Sequence, residues 1–279
     1  MLSGNIWPRL LIVTEEPMRA NSSGFGRTMV NIFQNYPIAN LLFYVPNGKY
    51  NHPDYQLYNS SFITYSNNKL HYKKPKFYAN TINALLNIVN TNWQTIRSLK
   101  KQLQQIQDFN PDYILVVPMG KETLLEGYRI TNCIKKPFYI YLMDDWMQSN
   151  FYYLGGSFQL TVKKILQNAS GWLMISKYLQ QELESRYNII YKPTLVLHNP
   201  VDTDNLHDYE SLETDEFIIG YAGSIWQFHF DGLENVAKAI YQLRNKGIRI
   251  KLMLYTQLFF WQKDEATYLK YEVEYGGLI

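Results

Sequence analysis

IIGYAGSIW, residues 218–226, decides how the rest of the chain is read. An apolar run of strand length ends in Gly223-Ser224, a pair small enough for a tight turn, and a helical pattern follows at 231–247. Leu233, Val236, Ala237, Ile240 and Leu243 recur there at helical spacing. Asp231 and Glu234 stand as in a capping box, and Gly247 stands where a helix is commonly terminated. Residues 248–256 predict a second strand, 258–270 a second helix, and Tyr271 to Tyr275 a short third strand. This β-α-β-α-β order predicts parallel strands joined by crossover helices: one half of a doubly wound α/β unit.

The first 200 residues read as a complete unit of the same kind. Apolar runs end in polar residues at RLLIVTEE (9–16), LLFYV (41–45), PDYILVVP (111–118), PFYIYLMDDW (137–146), GWLMIS (171–176) and TLVLHNPVD (194–202). Between them, Met29, Val30, Phe33 and Tyr36 share one helical face after a loop at Asn21 to Gly26. Ile96, Leu99, Leu103 and Ile106 do the same over 93–107, where Asn110-Pro111 stops the helix. Further helices are expected near 121–132, near 158–168 and after Ser176, a residue suited to an N-cap. Residues 46–75 show weak periodicity and read as irregular. The fold class expected is α/β: a parallel-sheet unit over 1–200, a polar acidic linker over 201–216 and a partial parallel-sheet unit over 217–279. Ligands in such sheets sit beyond the carboxyl ends of strands. That rule singles out Gly24 to Gly26, Asp144, Asp145 and Ser176.

Composition bounds the function. With 46% apolar and 16% aromatic residues, 24 of them Tyr, a 279-residue chain can bury two cores. Arg9 interrupts the early apolar run, so no signal sequence is expected, and no stretch approaches the ~20 apolar residues of a membrane span. Cys133 is the single cysteine, which excludes an internal disulfide framework. A cytoplasmic globular protein is the expectation. The net charge of +3 conceals an asymmetry: residues 1–200 hold 20 Lys/Arg against 11 Asp/Glu, and residues 201–279 hold 7 against 13. The basic stretch KLHYKKPKFY (69–78) suits either a solvated face or peripheral contact with anionic lipid. No nucleic-acid-binding module accompanies it. The histidines lack metal-ligand spacing, and Ser176 lacks the setting of a hydrolase nucleophile.

Taken in order, four segments resemble the retaining glycosyltransferases of the GT-B fold, the large group that includes sucrose synthase. They are PFYIYLMDDW, GWLMISKYLQQELESRY, HNPVD (198–202) and IIGYAGSIW followed by DGLENVAKAI, and the resemblance covers nearly the whole chain. It implies two Rossmann-like units, a nucleotide-sugar donor as substrate, a glycan or lipid-linked acceptor, and no metal or other cofactor. Asp144 matches the group's active-site His, and Asp145 matches the Asp after it. Gly223 and Ser224 match the turn that meets the donor diphosphate, where helix N-termini favour anions. Gly24, Phe25, Gly26 and Arg27 resemble the glycine-rich loop facing the cleft.

Two departures stand beside these matches. The group carries an Arg and a Lys soon after its glycine turn; here Trp226, Gln227, Phe228, His229 and Phe230 stand there, with no Lys or Arg before Lys238. His229 is the one candidate substitute. The group's paired glutamates lie eight positions apart, a spacing that occurs nowhere in this chain. The expectation is therefore an incomplete donor unit with impaired activity, whose first strand (217–222) forms an open apolar edge. A noncatalytic remnant that binds acceptor or a partner is the alternative, and an unrelated Rossmann oxidoreductase a third. The third lacks a clean glycine fingerprint, because Met29 stands where a third glycine belongs.

Overall fold

The computed structural model describes residues 7–18, 24–47, 61–65, 99–149, 151–190, 192–200 and 215–277. Two compact units divide the chain, Met1–Asn205 and Leu206–Ile279. Most of the expected linker, residues 201–214, lies outside the described residues, as does KLHYKKPKFY.

The first unit is built on a seven-stranded, wholly parallel sheet: β1 (Leu10–Thr14), β2 (Leu41–Pro46), β3 (Ser61–Tyr65), β4 (Tyr113–Val117), β5 (Phe138–Leu142), β6 (Gly171–Met174) and β7 (Thr194–Val196). Its order, β3-β2-β1-β4-β5-β6-β7, reverses direction between β1 and β4. The helices are α1 (Gly24–Phe33), α2 (Leu99–Phe109), α3 (Lys121–Ile134), the single-turn α4 (Trp146–Ser149), α5 (Phe151–Asn168) and α6 (Lys177–Tyr187).

Alternation along each strand divides the core between the two sheet faces. Leu11, Val13, Ile114, Val116, Ile140 and Trp172 pack with Leu124 and Ile130 of α3, Val162 and Ile165 of α5, and Leu183 of α6. Ile12, Phe43, Val45, Leu115 and Tyr141 pack with Phe25, Met29 and Phe33 of α1. Two sequence expectations change here. Ser61–Tyr65, read as irregular, pairs in parallel with β2; its short, half-exposed pattern gives too few alternations to stand out. The loop expected through Gly26 ends sooner, because Gly24 to Arg27 already form the first turn of α1, with Phe25 buried in the core.

Asn110, with φ 49°, terminates α2 as its Asn-Pro sequence implies. In α3, Gly127 is required by packing. A Cβ there would lie 2.5 Å from Val116 Cγ1 of β4, so the helix sits on the sheet at glycine distance. Gly127→Ala is expected to destabilise this unit by about 1–2 kcal/mol through overpacking, read as a lowered urea midpoint at unchanged slope.

The second unit holds β8 (Phe217–Ala222), α7 (Gln227–Arg244), β9 (Ile250–Tyr255), α8 (Leu258–Lys270) and β10 (Glu274–Gly277), with strand order β10-β9-β8, all parallel. Ile250, Leu252 and Leu254 pack against Leu233, Ala237 and Ile240 of α7 and Trp261 and Tyr268 of α8. Both crossovers step the same way along the sheet, and right-handed connections then put both helices on one face. The alternate residues Lys251, Met253 and Tyr255 point to the other face and are half-buried. β8 is the outer strand, and Phe217, Ile218 and Ile219 are 76%, 45% and 41% exposed, the open apolar edge expected from the sequence. The capping box is not formed. α7 begins at Gln227 behind Trp226, so Asp231 and Glu234 fall inside the helix, and Glu234 pairs instead with Lys238 at 3.0 Å.

Candidate functional site

In the first unit the strand order reverses between β1 and β4, and at their carboxyl ends adjacent crossovers leave on opposite faces and open a crevice. A cleft of about 210 Å³ lies there, lined by Gly24, Phe25, Thr28, Pro118, Met119, Met143, Asp144, Trp146 and Asn199. Gly24, Phe25 and Asp144 are thus brought together from sequence positions more than a hundred residues apart. α1 starts at this cleft, and the Thr28 hydroxyl donates to the Gly24 carbonyl at 2.8 Å, tightening its first turn.

The other candidates take different places. Gly26 is buried and Arg27 is exposed outside the cleft lining. Ser176 is the N-cap of α6, its Oγ accepting from the Leu179 N–H at 3.1 Å. Asp145 turns away from Asp144 and meets Arg186 of α6 in a two-pronged pair, Nη1 to Oδ1 at 2.9 Å and Nη2 to Oδ2 at 2.6 Å. Those bonds to Asp145 raise the Arg186 pKa above its ordinary value, against an opposing effect of burial. The Asp145 N–H donates to Asp144 Oδ1 at 2.7 Å. So the second carboxylate anchors the turn and the first, exposed, faces the cleft.

Two further residues support the walls. The Trp146 indole N–H donates to the Pro118 carbonyl at 2.9 Å, tying the β5 turn to the β4 turn. Glu15, one residue beyond β1, accepts from the Met119 N–H through Oε1 at 2.9 Å. Burial pushes its carboxyl up to about 7, although bonds from Met119, Thr123 and Gly120 favour the charged form. Glu15 stands in the sequence as the first polar residue after an apolar strand; its position was visible, its burial beneath the Pro118–Gly120 turn was not.

In the second unit, Gly223 adopts φ 146°, a region that side chains rarely enter, and its N–H donates to the Tyr255 carbonyl at 3.0 Å. The glycine therefore shapes the turn, and its own N–H is committed to β9. The Ser224 carbonyl accepts from Tyr221 Oη at 2.9 Å and lies 3.2 Å from His229 Nδ1. His229 thus braces the turn at the start of α7, where unpaired N–H groups and the helix dipole favour an anion.

No protein-family model matches the chain, and no curated protein does. Among solved structures, Anabaena Alr3699/HepE in complex with UDP and glucose matches with a TM-score of 0.59 at 13% identity, over 98% of this chain and 70% of its own. A variant of S. aureus TarM in complex with Fondaparinux, alpha-GlcNAc-glycerol and UDP matches with 0.57 at 11%, over 97% and 77%. A UDP-N-acetylglucosamine 2-epimerase matches with 0.52 at 13%, over 97% and 69%. At these identities the likeness shows the fold: two Rossmann-like parallel units of the GT-B type.

Proposed function

We propose that the chain is a glycosyltransferase of the GT-B type, moving a hexose from a nucleotide-sugar to a polysaccharide or lipid-linked acceptor. The observation that carries this reading is the Gly223-Ser224 turn at the start of α7, in a parallel unit like those of structures that hold UDP. The Ser224 N–H and those of the first turn of α7 would meet the diphosphate, and His229 would hold the turn in shape. In the first unit, Asp144 would accept hydrogen bonds from sugar hydroxyls at the mouth of the cleft, with Gly24 and Phe25 shaping its opposite wall. Transfer would proceed with retention, assisted by an oxygen of the donor's own phosphate and without a metal.

Residues 225–237 contain no Lys or Arg to stabilise a departing diphosphate, so turnover by this chain is expected to be weak. A noncatalytic role in acceptor or partner binding follows from the same deficit. One finding supports a second enzymatic reading: the match to a UDP-N-acetylglucosamine 2-epimerase extends over nearly the whole chain. Peripheral contact with anionic lipid on the cytoplasmic side rests on residues 69–78 alone; no helix among the described residues is long and apolar enough to cross a membrane.

Titration calorimetry with nucleoside diphosphates is expected to show dissociation constants on the order of millimolar, ~4 kcal/mol, and Gly223→Val to abolish that binding by forcing a side chain into a strained backbone. Survival of binding in Gly223→Val would move the site elsewhere. Incubation with UDP-N-acetylglucosamine followed by NMR separates the two enzymatic readings. A C2 epimer would favour the epimerase; the transferase would give, once an oligosaccharide acceptor is added, a glycosylated acceptor and free UDP.

A further inference from the structure

We propose that the aromatic ledge beside the Gly223-Ser224 turn is a stacking platform for the base of the nucleotide whose phosphates lie against that turn. The proposal rests on the nucleotide-sugar reading above and deepens it by naming the group that selects a nucleotide over a bare diphosphate.

The ledge begins with the residue next to the turn's anchor. Ile225 is 4% exposed and fixed in the core of the second unit, whereas its neighbour Trp226, the N-cap of α7, is 55% exposed. The Trp226 ring meets Phe260 edge-on, with centroids 5.6 Å apart and planes at 68°, and Phe260 meets Phe259 at 5.5 Å and 67°. Leu258 and Phe259, which open α8, are 53% and 69% exposed. The ledge thus spans the carboxyl ends of two paired strands, β8 and β9, at the end of the sheet where parallel α/β units take ligands. It starts two residues after Ser224, within one nucleotide's reach of a phosphate on the turn.

Its chemistry fits a flat ring. Trp226, Leu258, Phe259 and Phe260 carry no charge and no hydroxyl, so a hexose laid on them would find few partners along its rim. A nucleobase offers a π-face to stack and needs few polar contacts. Polar groups stand at the root of the ledge. Gln257 is exposed as the N-cap of α8. Thr256 is 1% exposed, and its hydroxyl has no hydrogen-bond partner among the described residues, although its backbone N–H donates to Gly277 and its carbonyl accepts from Tyr275. A buried hydroxyl left without a partner is uncommon, and a bridging water would satisfy it.

The test compares UDP with inorganic pyrophosphate on the ¹⁵N-labelled full chain, following the Trp226 indole N–H signal and fitting both dissociation constants. UDP is expected to bind roughly fivefold or more tightly than pyrophosphate, the range of one base stacked on an aromatic side chain. Trp226→Leu should bring the two constants together while leaving the pyrophosphate constant unchanged, and Trp226→Phe should keep most of the preference. Thermal unfolding of each variant confirms that it is folded, as expected for an exposed position. Equal constants for the two probes in the unaltered chain would overturn the ledge and leave the phosphate turn standing. Persistence of the UDP preference in both Trp226→Leu and Phe259→Ala would do the same. If neither probe perturbs the chain, the turn is not a phosphate site, and the nucleotide-sugar reading falls together with the ledge.

Discussion

Glu15→Gln is expected to make the first unit more stable at pH 8 by on the order of 3 kcal/mol and to leave it nearly unchanged at pH 4.5. The Glu15 carboxyl is raised from 4.5 to about 7, chiefly because it is taken out of water beneath the Pro118–Gly120 turn. Between those two values the folded protein holds a proton that the unfolded chain has released, so stability falls as pH rises. The fall begins near the unfolded value, ends near the folded one, and amounts to roughly 1.4 kcal/mol for each pH unit of the interval. Glutamine keeps an oxygen to accept from the Met119 N–H and never carries the charge. The measurement is the difference in unfolding free energy between the two proteins across pH 4 to 8, which cancels every other titrating group. A difference that stays flat would show that Glu15 does not titrate in this window.

Arg186→Met is expected to cost the first unit about 2 kcal/mol. The Arg186 and Asp145 side chains are 14% and 24% exposed, so removing the cation strands a carboxylate that water only partly reaches. A fully buried pair would cost more when broken; the residual exposure discounts it. Asp145→Asn should cost a similar amount, and the double variant less than the sum of the two, since each single change removes the same contact. Asp144→Asn, at an exposed neighbouring position, should change stability by less than about 0.5 kcal/mol. Chemical denaturation of the four proteins therefore sorts two adjacent carboxylates. A large loss in Asp144→Asn with none in Asp145→Asn would reverse their roles.

Most of the sheet architecture was legible because parallel strands buried on both faces leave continuous apolar runs, as in LLIVT and YILVV. β3 was not, since an outer strand with only Ile63 and Tyr65 buried has no long run to display. The start of α7 is hidden in the sequence for a related reason. Gln227 to Phe230 offer no good N-cap, so the pattern pointed to Asp231, whereas packing of Ile225 and Phe230 pulls the helix back to Trp226.

The candidate site was legible by position and illegible by partner. The rule that ligands sit at strand carboxyl ends singles out Gly24, Phe25 and Asp144, which line one cleft, together with Gly26, Asp145 and Ser176, which do not. It could not tell that Arg186, 41 residues on, claims Asp145, or that the Gly223 N–H is spent on Tyr255. Such pairings are set by tertiary register, which a single sequence does not display.

β8 carries a thermodynamic consequence of its own. A strand that exposes Phe217, Ile218 and Ile219 gains free energy from any neighbour able to lie alongside it, and such a gain grows with the neighbour's concentration. The melting temperature of the second unit is then no fixed property of the fold. It should climb as the protein concentration is raised from micromolar to millimolar.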